Sequence, residues 1–378
     1  MNAERLHAIA NAVRNDLQTT KAIDLLQQLS KALQNQINSA QEPTHQTQVA
    51  ATLKELTQAL ETAPSNEFPP TWKQALEELG GADLFGSALA SEIREIFSRN
   101  QITPAVAQEE LDAITKRLES FQESINEIRS GFKKLKIGAE ELDPATAELG
   151  VLIPRDYVDN ELEEFAEELE ELHEIFSVFS EVATGSRPGF PIRSISSSEL
   201  SVFLNVSIPV AACLAVAVER IVAFYKQLLE IRRLKNELRE QNVPDESLSG
   251  IEEHANTFME EKIGIVVDEV LSQFYKNSDD GRRHELKIEL RNSLNRIANR
   301  IDNGFNIEVR VAPPEANAAE EEQNGEVKQN VDLIVNAGPT LQFLRREGRP
   351  ILSLPEGEEE ATKQEDESKD RAQPKKKK

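Results

Sequence analysis

Leu111, Ile114, Leu118, Phe121, Ile125, Ile128, Phe132 and Leu135 follow one another at alternating steps of three and four residues. A strand cannot gather such a set on one face, because its side chains alternate with period two; a helix lines them up as one stripe. The seven-residue repeat is that of a coiled coil, and so narrow a seam calls for one or two covering helices. Thr103 followed by Pro104 marks the start, since proline is favoured at the first helical position. The helix is expected over about 104–137, closing an N-terminal helical region of residues 1–140. Upstream, residues 4–62 read as two helices separated at SAQEPTHQ, the first carrying Leu6, Ile9, Val13 and Leu17 and the second Val49, Leu53, Leu56 and Leu60. A short helix from Thr71 stops at Gly80 and Gly81, and another covers about 82–99.

A second seam repeats the rule with Leu162, Phe165, Leu169, Leu172, Phe176 and Phe179; an ordinary amphipathic helix on a globular core is its alternative. Around it the character changes, because short β-like runs alternate with helices: LGVLIP from Leu149, GFPIRSISS with Ile192 and Ile195, ELSVFLNVS from Glu199, and FNIEVRVAP from Phe305. The resulting order is β, α, β, β, α, β, the ferredoxin-like order, with the second crossover extended into a helical insertion over 209–302. The expected fold class is therefore mainly α with a small α+β module. That module spans 147–355, with an acidic linker at 314–330 and VDLIV (Val331–Val335) as a possible fifth strand. Residues 356–378 lack apolar side chains to bury and read as a disordered charged tail ending in Lys375–Lys378.

Ser201 to Val218 contains no charged side chain, which just reaches the length of a membrane span. Pro209 divides the run, however, into a period-two strand and a helix. The helix meets Glu219 and Arg220 after ten residues, a rise of about 15 Å against about 30 Å of hydrocarbon. A buried core element is the expected outcome, with Cys213 as a buried apolar side chain. The single cysteine excludes an internal disulfide framework. The first residues lack the apolar stretch of a secretory signal, so a cytoplasmic location is expected.

A net charge of −24 over 378 residues argues against general nucleic-acid binding, which depends on phosphate neutralisation by Lys and Arg. One helix runs against that balance, with Arg220, Lys226, Arg232, Arg233, Lys235 and Arg239 on a basic face, while residues 161–174 carry eight glutamates. The two helices are expected side by side, their opposite charges selecting the pairing. A nucleic-acid or anionic-lipid surface is the alternative for the basic face.

Motifs of chemistry are missing: there is no phosphate loop, no GxGxxG after a strand, no nucleophile elbow and no HExxH. His7, His45, His173, His254 and His284 are dispersed. Glu170 and His173 have the spacing used twice in di-iron bundles, but it occurs here once, within a glutamate-rich run. Asp279, Asp280 and Gly281 resemble part of a calcium loop without its acidic series, and read as a capped turn between helices. No catalytic residue, cofactor or metal is therefore expected. The sequence points to a non-enzymatic interaction or scaffold protein, self-associating or binding a protein partner through its coiled-coil helices. A membrane-associated regulator using 201–225 is the alternative, and an enzyme of unrecognised type comes third.

Overall fold

In the computed structural model, the residues described are 3–39, 41–143, 146–196, 200–241, 250–312, 325–341 and 349–357. The chain forms two compact units, Met1–Glu141 and Leu142–Lys378, mostly helical with one small antiparallel sheet.

The described part of the first unit is helical: α1 (Ala3–Thr20), α2 (Ala22–Asn38), α3 (Pro43–Glu61), α4 (Pro70–Glu78), α5 (Gly86–Arg99) and α6 (Pro104–Leu135), with short 3-10 turns at 64–67 and 82–84. Residues 4–62 thus hold three helices, not two. The additional break falls at Lys21, which adopts φ 50°; a left-handed residue with a side chain costs about 1–2 kcal/mol. The turn lets Leu25, Leu26, Leu29 and Leu33 of α2 share one core with Ile9, Val13 and Leu17 of α1. Asp16 is buried there and accepts the Ser65 amide at 2.7 Å. Burial pushes its pKa up, and the hydrogen bonds from Ser65 offset part of the rise. Arg5 and Glu140 form a buried two-point ion pair at 3.0 and 3.1 Å, tying the start of α1 to the segment after α6.

The middle of the first seam is used inside this unit. Leu111, Ile114, Leu118 and Ile125 are buried in its core and Phe121 packs at the edge. The covering elements are α1, α2 and α5: several shorter helices replace the single long partner of a coiled coil. Phe121 meets Phe85 edge-on at 5.6 Å between ring centroids, and its ring lies against Gly81, where a Cβ would come within 2.6 Å. Ile128 and Phe132 are half-buried, and Leu135 is 71% exposed.

The second unit carries β1 (Thr146–Leu152), α7 (Leu162–Thr184), β2 (Ile192–Ser196), β3 (Ser201–Ser207), α8 (Ile208–Glu240), α9 (Gly250–Phe274), α10 (Asp280–Asp302), β4 (Asn306–Val311) and α11 (Gly325–Ala337). The strands form one antiparallel sheet in the spatial order β2-β3-β1-β4. Period-two alternation sends Ala147, Leu149 and Val151 of β1 into the core, beside Val202 and Val206 of β3 and Ile307 of β4. The opposite face carries Glu148, fully buried and ion-paired to Arg193 at 3.1 Å and Arg310 at 2.7 Å. A Cβ on Gly150 would come within 2.8 Å of Glu308 and 2.9 Å of Phe203, so only glycine fits there.

The uncharged run resolves into strand and helix. β3 ends at Ser207, and nearly every residue from Val210 to Val218 is buried in the core against α7, α9, α10 and the sheet. Among the described residues α8 is the one helix long and apolar enough to cross a membrane, with a window of mean hydropathy 1.8. Cys213 is fully buried and its thiol pKa is pushed up by desolvation. VDLIV is helical, contrary to the fifth-strand expectation. Val331, Ile334 and Ala337 form a buried stripe at three-residue steps while Val335 is 56% exposed, which is helical burial rather than alternation. The acidic linker accordingly ends at Gly325, where α11 begins; residues 313–324 lie outside the described residues.

Replacing Phe121 with Asp puts a carboxylate against the Phe85 ring and should cost about 3–5 kcal/mol. The expected result is a lower melting temperature at unchanged mass in light scattering; a fall in mass would mean that the seam joins copies.

Candidate functional site

α10 organises the second unit. Arg282, Arg296 and Arg300 are 14 and 4 residues apart and so share one helical face. That face meets the glutamates of α7. Arg300 grips Glu168 with two hydrogen bonds, 2.7 and 2.9 Å, both side chains being buried. Arg296 reaches Glu171 at 3.0 Å and Glu174 at 3.1 Å. Arg282 grips Glu181 at 2.6 and 2.7 Å, and Arg187 joins it at 2.5 Å. α7 does pack beside α8, but its glutamates are matched by α10, which corrects the expected charge pairing with α8. Hydrogen bonds from Arg282, opposed by burial and helped by Arg187, hold the Glu181 pKa down at about 2. Burial pushes Glu168 up, and Arg300 pulls it part of the way back.

Beside these pairs lies a cavity of about 460 Å³, lined among others by Tyr157, Glu164, Glu167, Glu171, Arg296 and Glu356. Its arginines are already bound to glutamates, and burial raises the Tyr157 pKa. Among the described residues no group of three or more His, Cys, Asp or Glu is set to hold a metal. His173 stands edge-on to Phe190 at 5.6 Å, and Asp279 caps α10 by accepting the Arg282 amide at 3.0 Å.

The distinctive construction is a clamp on the segment 349–357. Leu352 and Leu354 are buried while Ser353 and Pro355 are exposed, the alternation of an extended chain. Among the described residues no strand pairs with it; side chains take the place of a ladder. Asp302, wholly buried, accepts the amides of Ile351 and Leu352 at 2.5 and 2.7 Å. Asn299 binds both the amide and the carbonyl of Leu354, each at 3.0 Å. Asn256 of α9 accepts the Ser353 amide at 2.8 Å and donates to the Ile351 carbonyl at 3.4 Å. Asn295 donates to the Pro355 carbonyl at 2.7 Å, Arg296 to that of Glu356 at 3.1 Å, and Arg232 to that of Arg349. The start of the expected tail is thus held, since Glu356 also accepts from Asn299 at 2.5 Å; residues 358–378 lie outside the described residues.

The anticipated site residues are scattered. In the second seam Leu172, Phe176 and Phe179 are core, Phe165 and Leu169 pack at its edge, and Leu162 is 80% exposed. On the basic helix, Arg220 pairs with Glu269 at 3.5 Å and Arg233 with Glu230 at 3.1 Å. Lys226 donates to the Thr340 carbonyl at 3.1 Å, and burial lowers its pKa. Arg232 and Lys235 are buried, while Arg239 is exposed. The basic face is thus divided between solvent and interior contacts. Asn256, Asn295, Asn299 and Asp302 escaped sequence reasoning; the only trace was the one- and two-turn spacing of the last three on α10, N-R-I-A-N-R-I-D.

Comparison of the chain and its fold with known families, characterised proteins and solved structures gives no significant match.

Two outcomes follow from the geometry. Glu181 has a depressed folded pKa, so its stabilising contribution is complete above the ordinary value near 4.5 and fades as the pH falls towards about 2. Glu181→Gln should remove that part of the acid dependence, seen as a shallower loss of melting temperature between about pH 5 and pH 2. Ending the chain at residue 348 removes Leu352 and Leu354 and takes two amide donors from the buried Asp302 carboxylate, so its melting temperature should fall by several degrees relative to a chain ending at 357.

Proposed function

We propose that this chain is a non-enzymatic protein-interaction or scaffold protein of the cytoplasm, self-associating or engaging a protein partner, and that its gripping surface is the clamp formed by α8, α9 and α10. The observation that carries this reading is the paired use of Asn256 and Asn299, each donating to and accepting from the backbone of the segment 351–354. Backbone recognition of this kind fits any extended chain, while the sites of Leu352 and Leu354 select apolar residues two apart, the logic of strand addition. The same clamp can take such a segment from a second copy or from a partner. Coiled-coil pairing through the first seam is the weaker route, because its central positions are engaged within their own unit.

The reading takes the second unit as a ferredoxin-like module with a long helical insertion. The succession β1, α7, β2, β3, then α8 to α10, then β4, and the spatial order β2-β3-β1-β4, support it. A membrane-associated regulator is the second reading, favoured by the hydropathy of α8 and opposed by the burial of Val210–Val218. Flotation with liposomes separates the two.

The test of the clamp uses a labelled peptide of residues 349–357 and a chain ending at 348 that keeps its helical circular dichroism. Saturable binding by fluorescence anisotropy, weakened about tenfold or more by Asn299→Ala, is the expected result. A peptide that fails to bind, or binds the Asn299→Ala chain equally well, rejects the reading.

A further inference from the structure

In the first unit α1 and α6 run antiparallel, as shown by Arg5 bound to Glu140, His7 Nδ1 at 2.9 Å from the Ile137 carbonyl, and Arg129 donating to Asn11 at 2.6 Å. Between them lies a cavity of about 680 Å³ whose lining includes His7, Asn11, Arg14, Arg129, Lys133 and Lys136. No Asp or Glu lines it among the described residues. None of Arg14, Arg129, Lys133 and Lys136 has a carboxylate within 4.0 Å among them either. In a chain of net charge −24, four cations converging without a carboxylate need an explanation.

The helix dipole supplies half of one. Lys133 and Lys136 stand at the C-terminus of α6, where positive charge is favourable. Arg14 and Arg129 lie within their helices, beyond that influence, and confront each other: burial first, and the Arg14 charge second, lower the Arg129 pKa. Lys136 adds a geometric sign. It holds the left-handed position that ends α6, φ 58°, which glycine usually occupies; here a lysine sits at the cavity instead. An anion between the helices would relieve the repulsion between the guanidiniums.

We propose that this cavity is a binding site for an oligophosphate, a small molecule carrying two or more linked phosphoryl groups. From Arg129 to Lys133 and Lys136 the helix rises about 6 and 10 Å, a spread too long for one phosphate and suited to a short chain of them. Arginine offers a flat two-point fork to phosphoryl oxygens and lysine a mobile point charge.

The test is calorimetric titration of the full chain with inorganic triphosphate at about 50 mM salt, where surface charge is little screened. One triphosphate per chain should bind, with affinity about tenfold or more weaker in Arg129→Gln and in the double variant Arg14→Gln with Lys133→Gln. Lys134→Gln, on the same helix but outside the cavity, should leave it unchanged. Circular dichroism checks that each variant folds, and Arg14 and Lys133, both exposed, can be changed without opening the core. A nucleoside triphosphate titrated in parallel separates the sources: equal affinity assigns recognition to the phosphates alone, and tighter binding adds the nucleoside. No binding up to about 1 mM, orthophosphate binding as tightly as triphosphate, equal weakening by Lys134→Gln, or a single-stranded oligonucleotide binding more tightly would each overturn the proposal.

Discussion

A single carboxylate at the end of α10 joins two helices of the second unit to the segment 349–357. Asp302 is wholly buried, a position that would strongly disfavour an ionised group without compensation. Compensation comes from four directions: the Tyr225 hydroxyl of α8 at 2.8 Å, the amides of Ile351 and Leu352, and the Arg232 guanidinium at 3.6 Å. Burial and the neighbouring Asp302 charge push the Tyr225 pKa up, so the phenol stays protonated and keeps donating. Two helices and the segment near the chain's end thus converge on one group. Removing it would take a partner from the Tyr225 hydroxyl, the Arg232 guanidinium and two amides together, a larger cost than any one of its hydrogen bonds suggests.

The charges of α7 and α10 do a different job. The Arg187–Glu181 and Arg296–Glu174 pairs have at least one partner well exposed and contribute about 0.2–1 kcal/mol each. The Arg300–Glu168 pair is buried on both sides, where desolvation consumes much of the attraction and apolar side chains of similar volume can serve as well. What the arginine face of α10 provides is choice of neighbour and register: α7 presents Glu168, Glu171 and Glu181 at intervals that only an antiparallel α10 can meet with Arg300, Arg296 and Arg282.

How far the fold was legible depended on whether local pattern or distant contact decided each element. α6 and β3 followed from periodicity, because burial on one side imposes three-and-four or two-residue spacing directly on the sequence, and the other three strands from short β-like runs between helices. Lys21 did not: lysine is a good helix former, and only the packing of α2 back onto α1 makes it a corner. VDLIV misled because β-branched residues favour strands, while the deciding fact, burial of Val331, Ile334 and Ala337 along one stripe, includes an alanine beyond the run. The pairing of α7 with α10 was hidden because α8 and α10 carry equally many lysines and arginines, six each, so composition alone does not choose between them. The clamp was least legible of all. Asparagines carry no charge and no periodic apolar signal, and Asn295, Asn299 and Asp302 acquire their roles from backbone groups about 50 to 60 residues further along.

That separation also orders events in time. Residues 349–357 are synthesised after every helix they touch, so Asp302, Asn299 and the sites of Leu352 and Leu354 exist on the nascent chain before anything can fill them. The second unit cannot complete its interior until residues 349–357 have left the ribosome. Until then the places that Leu352 and Leu354 fill stay open. Residues 349–357 are, in that sense, the unit's own closing piece.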